Sequence, residues 1–232
     1  MATRTPKQQT MPSLEKAVQK RRRGSMGGRF TRALRYPRLL QHQWQHLPHA
    51  LKRRFIKTTS PGQIVIFKGR IHKTRLSKLG WAVAKLAKIV GGPLPESNKN
   101  QGHATVIVQE SPDQTGQIWT RIFPSHKEMP HISQSKKEFQ GPTGLQEIIT
   151  PHLGMTLKVK LVQKSLQFQS EVYFLKIKNH HVALPWFLTP GTLIVTHRET
   201  SPKRFRYTLR LVHPLLGELI YQTGLFEEVL QW

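Results

Sequence analysis

Acid–base chemistry has few candidate residues in this sequence, because acidic side chains are scarce. Only 12 of the 232 residues are Asp or Glu, whereas 37 are Lys or Arg. Glu147 lies among apolar neighbours, where burial would raise the pKa of its carboxyl group and suit it to proton transfer. His213 and Glu218 flank one tight turn, PLLG, and can hydrogen-bond across it as an acid–base pair. A solvated glutamate and a cap on the backbone groups of the turn are the structural alternatives, and we favour them.

Most other kinds of catalytic or cofactor site find no support. The chain has no cysteine, so disulfides, thiolate metal sites and cysteine nucleophiles are excluded. Its one aspartate, Asp113, lies in a hairpin turn, which argues against an Asp-based catalytic triad. The P-loop, the dinucleotide-binding glycine motif and the HExxH and GxSxG motifs are absent. We therefore predict neither a metal nor a cofactor.

A ligand pocket is the alternative to catalysis. Residues 184–191, LPWFLTPG, concentrate large apolar side chains around two prolines. Such a segment is typical either of a pocket lining or of a corner in the core, since pockets are mostly apolar with few polar groups. The residues predicted to line the pocket are Trp119, Glu147, Trp186, Tyr207, His213, Glu218 and Tyr221.

The net charge of +25 is concentrated towards the N-terminus, where residues 1–100 have a net charge of +21. Residues 1–35 are polar and basic without an apolar period, which predicts a disordered leader. Its positive field would attract nucleic acid or an anionic membrane. A solvated leader or an over-long start is the structural alternative. The predicted contacts with an anionic surface are Arg21, Arg22, Arg23 and Arg29.

The location of the protein is predicted from two absences in the sequence. No apolar run is long enough for a transmembrane helix. The start of the chain lacks the apolar region of a secretory signal. We therefore expect a cytoplasmic protein that can be peripheral to a membrane.

A β pattern extends over most of residues 36–232, and the strands that it predicts must position these side chains. We interpret residues 36–232 as one β-rich domain. In residues 204–213, apolar residues alternate with arginines, so aromatic rings and positive charges would face opposite sides of a strand. This separation argues against stacking of nucleic-acid bases there. In residues 166–178 the apolar phase switches, which predicts a bulge near 172–174 that keeps Val172 on the face of Phe168.

Three helices are predicted beside eight to ten strands. A helix pair begins at Pro37 and is divided at Pro48, because proline suits a first turn and ends a preceding helix. Residues 76–90 form an amphipathic helix whose apolar stripe, including Leu79 and Leu86, should pack on the sheet. Short connections favour an antiparallel sheet. The predicted fold class is thus α+β, with a large antiparallel sheet, half-barrel or barrel-like, curved around helix 76–90.

Several segments resemble a bacterial family of domains of unknown function. They are the helix pair of residues 39–51, the FKGR strand with the helix ending GGPLP, the segment 139–154, LPWFLTPG, and FRYTLRLVHPLLGELIYQTGLF. Members of that family occur alone or fused behind saccharopine-dehydrogenase-like NAD-binding domains. The resemblance implies a β-rich domain and an oxidoreductase partner, and it implies no catalytic residues.

Together these observations predict a non-enzymatic or accessory domain that binds a small hydrophobic ligand or lipid. Two alternatives stay open. One is a basic protein that binds nucleic acid or anionic membrane through its N-terminal region. The other is an enzyme that uses glutamate and histidine in acid–base chemistry.

Overall fold

The structure, a computed structural model, describes residues 35–56, 64–89, 92, 94–95, 102–124, 129–139, 144–178 and 180–231. Its helices are α1 (Arg35–Leu40), a 3₁₀ helix (Gln41–His46), α2 (His49–Ile56), α3 (Lys78–Ile89) and a short 3₁₀ helix (Trp186–Leu188). Its strands are β1 (Ile64–Leu76), β2 (Gly102–Glu110), β3 (Gly116–Phe123), β4 (His131–Glu138), β5 (Gln146–Thr150), β6 (Leu153–Val162), β7 (Ser165–Ile177), β8 (His180–Ala183), β9 (Thr192–Ser201), β10 (Arg204–His213) and β11 (Gly217–Gln231).

Ten of these strands form a closed antiparallel barrel. The sheet order is β6-β5-β4-β3-β2-β1-β11-β10-β9-β7-β8, and β6 also pairs with β7, which joins the two sides of the sheet. Strand β8 pairs only with the last residues of β7. Each strand is hydrogen-bonded to antiparallel neighbours, so no long edge of the barrel is left open. The prediction of an antiparallel, barrel-like sheet is confirmed.

The barrel has two ends that differ in what covers them. Strands β1, β3, β5, β7 and β10 run towards one end, where α3 follows β1, and we call it the α3 end. Strands β2, β4, β6, β9 and β11 run back towards the other end. There the Gln43 side chain accepts a hydrogen bond from the Leu161 N–H, and the Arg53 guanidinium donates to the Pro202 carbonyl. We call this the helix-pair end.

The pleat of β10 places its side chains as the sequence predicts. Phe205, Leu209 and Leu211 are buried inside the barrel, whereas the arginines between them are exposed. Full burial of an apolar side chain of this size contributes about 1.5–3 kcal/mol. The strand therefore supplies core on one face and positive charge to solvent on the other.

A bulge in β7 lies close to the predicted position, but its effect on the side chains differs. Met155 pairs with Tyr173 and Leu157 pairs with Ser170, so two residues of β7 oppose one of β6. The Val172 N–H donates to the Thr156 hydroxyl at this point. Val172 is consequently exposed and Tyr173 is buried, so the prediction that Val172 shares the inner face of Phe168 was wrong. Tyr173, and not Val172, therefore takes the inward position after the bulge.

Helix α3 packs through small residues and Val83, and the prediction that its apolar stripe meets the sheet was wrong for Leu79 and Leu86. A methyl group on Gly80 would overlap the Leu219 carbonyl, so only glycine permits this close approach to β11. Ala84 is fully buried in the same interface, whereas Leu79 and Leu86 are 52% and 65% exposed. The helix contacts β1 and β11 at the end of the barrel, so the sheet does not curve around it. Val90, the last predicted stripe residue, lies outside the described residues.

The helix pair places aromatic side chains in the barrel. Pro48 precedes α2, whose Leu51 is fully buried and whose Phe55 packs at an angle on Phe168 of β7. Tyr36 of α1 meets Phe55 edge to face, with ring centroids 5.3 Å apart. The division at Pro48 is confirmed, although a 3₁₀ helix replaces the second half of the first predicted helix.

Candidate functional site

The interior of the barrel contains a cavity of about 70 Å³. Its volume corresponds to roughly five water molecules. Most of its lining is aliphatic or aromatic, and one charged cluster lies among these side chains. Aromatic members of the lining are Phe55, Phe67, Trp119, Phe123, Phe168, Phe205, Tyr207 and Phe226.

The charged cluster is built on the inner faces of β3, β4 and β5. The Ser135 hydroxyl donates to Glu147 Oε1 at 2.6 Å, and Arg121 Nη1 donates to the Ser135 oxygen at 3.0 Å. Arg121 Nη2 lies 3.3 Å from Glu147 Oε1, and Lys137 Nζ lies 3.0 Å from Glu147 Oε2. The Lys137 ammonium also lies 4.8 Å from the centroid of the Trp119 ring, a cation–π distance. Both carboxylate oxygens are therefore bound by cations.

Glu147 is buried as expected, but its pKa shifts in the opposite direction. Burial alone would raise that pKa, whereas the Lys137 ammonium and the Arg121 guanidinium lower it to about 2. Burial in turn lowers the pKa of Lys137, and the Glu147 carboxylate opposes that change. Glu147 is consequently an ionised anchor for two cations, and a raised pKa suited to general acid work is not found.

A second polar residue of the cavity, His197 of β9, has an aromatic environment. Its ring stacks on Phe205 at 5.4 Å and meets Phe168 edge to face at 5.9 Å. The side chain is buried, and no hydrogen-bond partner of Nδ1 is present among the described residues. Burial lowers the pKa of His197 well below its ordinary value, and Arg54, Lys137 and Arg121 add to that effect. The imidazole is neutral at physiological pH.

Arg54 of α2 covers the helix-pair side of this aromatic group. Its guanidinium lies 3.9 Å from the centroid of the Phe205 ring and 3.1 Å from Glu199 Oε2. The side chains of Arg54 and Glu199 are 6% and 11% exposed, so this is a largely buried ion pair. It links the helix pair to β9 and β10.

The structure separates the predicted pocket residues into two groups. Trp119, Glu147 and Tyr207 line the cavity. Trp186 is 60% exposed, since it belongs to a 3₁₀ helix outside the barrel wall. Tyr221 does not line the cavity, because the pleat of β11 directs Gln222 inwards and leaves Tyr221 under the Arg75 guanidinium.

His213 and Glu218 also lie outside the cavity and do not form the suggested pair. His213 Nδ1 accepts the Leu215 N–H at 3.3 Å, which caps the turn. Glu218 instead binds Arg210 at 2.7 Å and Arg75 at 3.1 Å on the outside of the barrel. Glu147 lies inside the barrel and His213 and Glu218 lie outside it, so these three residues do not form the shared site that the acid–base hypothesis requires.

Arg121, Lys137 and His197 are the site residues that the sequence interpretation missed. Each alternates with outward-facing neighbours in its strand, so the period of two could have placed them inside once the barrel was assumed. Because lysine and arginine are seldom buried, Arg121 and Lys137 were not predicted to face the interior.

The remaining predictions concern the leader, metals and the membrane. Arg21, Arg22, Arg23 and Arg29 lie outside the described residues. Within the part of the chain that the structure describes, no group of three or more His, Cys, Asp or Glu side chains could hold a metal ion. None of the described helices is both long and apolar enough to cross a bilayer.

Comparison with protein families identifies the class of this domain. Residues 47–226 match the model of the family described as Domain of unknown function (DUF4166). The match spans all eleven strands except the end of β11 and includes the cavity, so the chain belongs to that family. No curated protein and no solved structure matches the chain.

We predict that His197 makes the protein less stable at acidic pH. Because the pKa of His197 is lower in the folded than in the unfolded state, its contribution is fully present above about pH 6.5 and is lost as the pH falls. His197→Phe should remove up to about 1.4 kcal/mol per pH unit from the fall in unfolding free energy between pH 6.5 and 5. Urea denaturation of the wild type and the variant at each pH measures the unfolding free energy.

His103→Phe, a substitution of an exposed histidine in β2, is the matched control and should keep the wild-type pH dependence. An unchanged slope in His197→Phe would contradict a neutral, buried imidazole.

Proposed function

We propose that the barrel binds a small hydrophobic ligand in its central cavity and acts without catalysis, as a carrier or an accessory domain. The cavity carries this proposal, since it lies within a closed wall of strands and is lined mainly by aromatic and aliphatic side chains. Antiparallel barrels of this size have interiors wide enough for one small ligand. Apolar pockets with few polar groups are the usual form of ligand sites.

The size of the cavity favours a short ligand. Tyr36 and Phe55 from the helix pair occupy part of the space that ten strands enclose. The remaining volume of about 70 Å³ suits an aliphatic chain or a small ring system better than a large lipid. An oxidoreductase partner and a cytoplasmic location are consistent with this role and stay predictions.

We predict that 1-butanol, an uncharged and short apolar probe, binds saturably at one site. Val106→Phe and Val195→Phe each add a ring to the cavity and should abolish this binding, because the added volume displaces the probe. Isothermal titration calorimetry of the full chain measures it.

Ile107→Phe is the control, since Ile107 follows Val106 in β2 and faces the outside of the barrel. It should bind butanol as the wild type does. Full binding by folded Val106→Phe and Val195→Phe would contradict an internal site.

A second candidate function is association with an anionic membrane through the α3 end. Large apolar side chains are exposed along that end, on α3, on the connection into β4, beside β8 and in the turn before β11. They are Leu79, Trp81, Leu86, Met129, Ile132, Ile177, Val182, Trp186, Phe187, Leu188, Leu215 and Leu216.

Basic side chains lie among these apolar residues. Lys85 lies 4.2 Å from the centroid of the Trp81 ring, and Lys176 and Lys178 are exposed at the end of β7. Exposed tryptophan and lysine together are typical of a surface that enters the headgroup region of an anionic bilayer. Charge complementarity thus favours a lipid surface as the occupant of this end.

We predict that the protein sediments with vesicles of phosphatidylcholine and phosphatidylglycerol more than with phosphatidylcholine alone, and less at high salt. Phe187→Ser should weaken binding about tenfold or more, because the ring, 64% exposed in the protein, would no longer be buried in lipid.

Val162→Ser changes an exposed apolar residue at the helix-pair end and should leave vesicle binding unchanged. Equal losses in the two variants, or wild-type binding by Phe187→Ser, would contradict a role of the α3 end.

A further inference from the structure

The charged residues that line the cavity do not balance. Among the described residues of the lining, Arg121 and Lys137 form ion pairs as cations, Glu147 is the one carboxylate, and His197 is neutral. The Arg121 and Lys137 side chains are only 15% and 10% exposed. One positive charge is therefore left without a counter-charge in a region where water cannot screen it well.

The other ion pair of the interior does not supply the missing charge. Glu199 forms an ion pair with Arg54 at the helix-pair end. Glu147 has its own two cations, since Lys137 and Arg121 are the charges that lower its pKa. Glu138 follows Lys137 on β4 and binds Lys136. Among the described residues, no second carboxylate lines the cavity.

A hydrogen-bond donor beside these cations also lacks a partner. Trp119 lines the cavity and is 9% exposed, and no partner of its indole N–H is present among the described residues. Trp119 pairs with Ser135 across β3 and β4, two register positions from the pair of Arg121 with Ser133. The Ser133 hydroxyl is likewise buried without a hydrogen-bond partner in the described structure. Buried donors of this kind are rare and need an explanation.

We propose that the ligand of the cavity is an amphipathic acid with a single carboxylate, held by Arg121 and Lys137 with the indole N–H of Trp119. This inference rests on the proposed ligand-binding function and specifies the class of its ligand. One carboxylate supplies the missing negative charge, and its two oxygens accept the spare N–H groups of the two cations. The aromatic lining then receives the apolar body.

A single carboxylate fits the site better than other head groups do. A phosphate monoester would bring nearly two negative charges to a site with one unbalanced positive charge. An ammonium head would add a third cation to the cluster. An alcohol would leave the charge unbalanced. Alkyl and aryl acids share the required chemistry, and the two are distinguished by experiment.

The test compares matched acids and alcohols by isothermal titration calorimetry of the full chain at neutral pH. Butanoate and 1-butanol form the alkyl pair, and benzoate and phenol form the aryl pair. At least one acid should bind about 10- to 100-fold more tightly than its alcohol, the range expected for charge-assisted hydrogen bonds. The pair with the larger ratio identifies the apolar body.

Lys137→Met should bring the ratio of acid to alcohol affinity close to one, because Arg121 then balances Glu147 alone. Lys136→Met, one residue away on the outer face of β4, is the matched control and should keep the preference. If Lys137→Met does not fold, Trp119→Phe keeps a smaller aromatic ring and removes the N–H. It should weaken acid binding about tenfold more than it weakens alcohol binding, because the lost hydrogen bond is made to a charged group.

The outcomes separate the two proposals. Equal affinities for acid and alcohol, or a preference that survives in every one of the variants Lys137→Met and Trp119→Phe that folds, would overturn the carboxylate site and leave the apolar cavity in place. Absence of binding by all four probes would overturn the ligand-binding function itself.

Discussion

Closure of the barrel through β7 is the constraint on which the rest of the structure depends. This strand pairs with β6 along its length, with β9 through its first residues and with β8 through its last. The bulge at Val172 lies between the residues of β7 that pair with β9 and those that pair with β8, and it re-aims the side chains there. Without the β6–β7 pairing the sheet would have two edges and its inner face would meet solvent.

Because the barrel is closed, the charges of the Arg121, Lys137 and Glu147 cluster are poorly screened by water. In water, Arg121 and Lys137 would need no exact counter-charge, whereas inside the barrel each unbalanced charge costs free energy. Glu147 stabilises both cations, and Ser135 fixes one of its oxygens. The cluster therefore serves structure and ligand recognition together, since the charge left over after Glu147 is paired is what would select an anionic head group.

Local sequence patterns correctly predicted features that depend on a single strand. They failed for side chains whose position or pKa depends on a second helix or strand. The inner face of β10, with Phe205 and Tyr207, follows from alternation alone and was predicted correctly. The packing of α3 could not be, because Gly80 is selected by the Leu219 carbonyl on β11, far away in the chain. The pKa of Glu147 was predicted in the wrong direction for the same reason, since its cations come from two other strands.

The closed barrel holds an ionised Glu147 between two buried cations. A carbon-13 NMR titration of the glutamate carboxyl groups, with Glu147→Gln used to assign the signal, measures the pKa of this carboxyl group. We expect a pKa of about 2 for Glu147 in the folded protein. A pKa at or above the ordinary value of 4.5 would contradict the cluster, and with it the charge imbalance on which the carboxylate site depends.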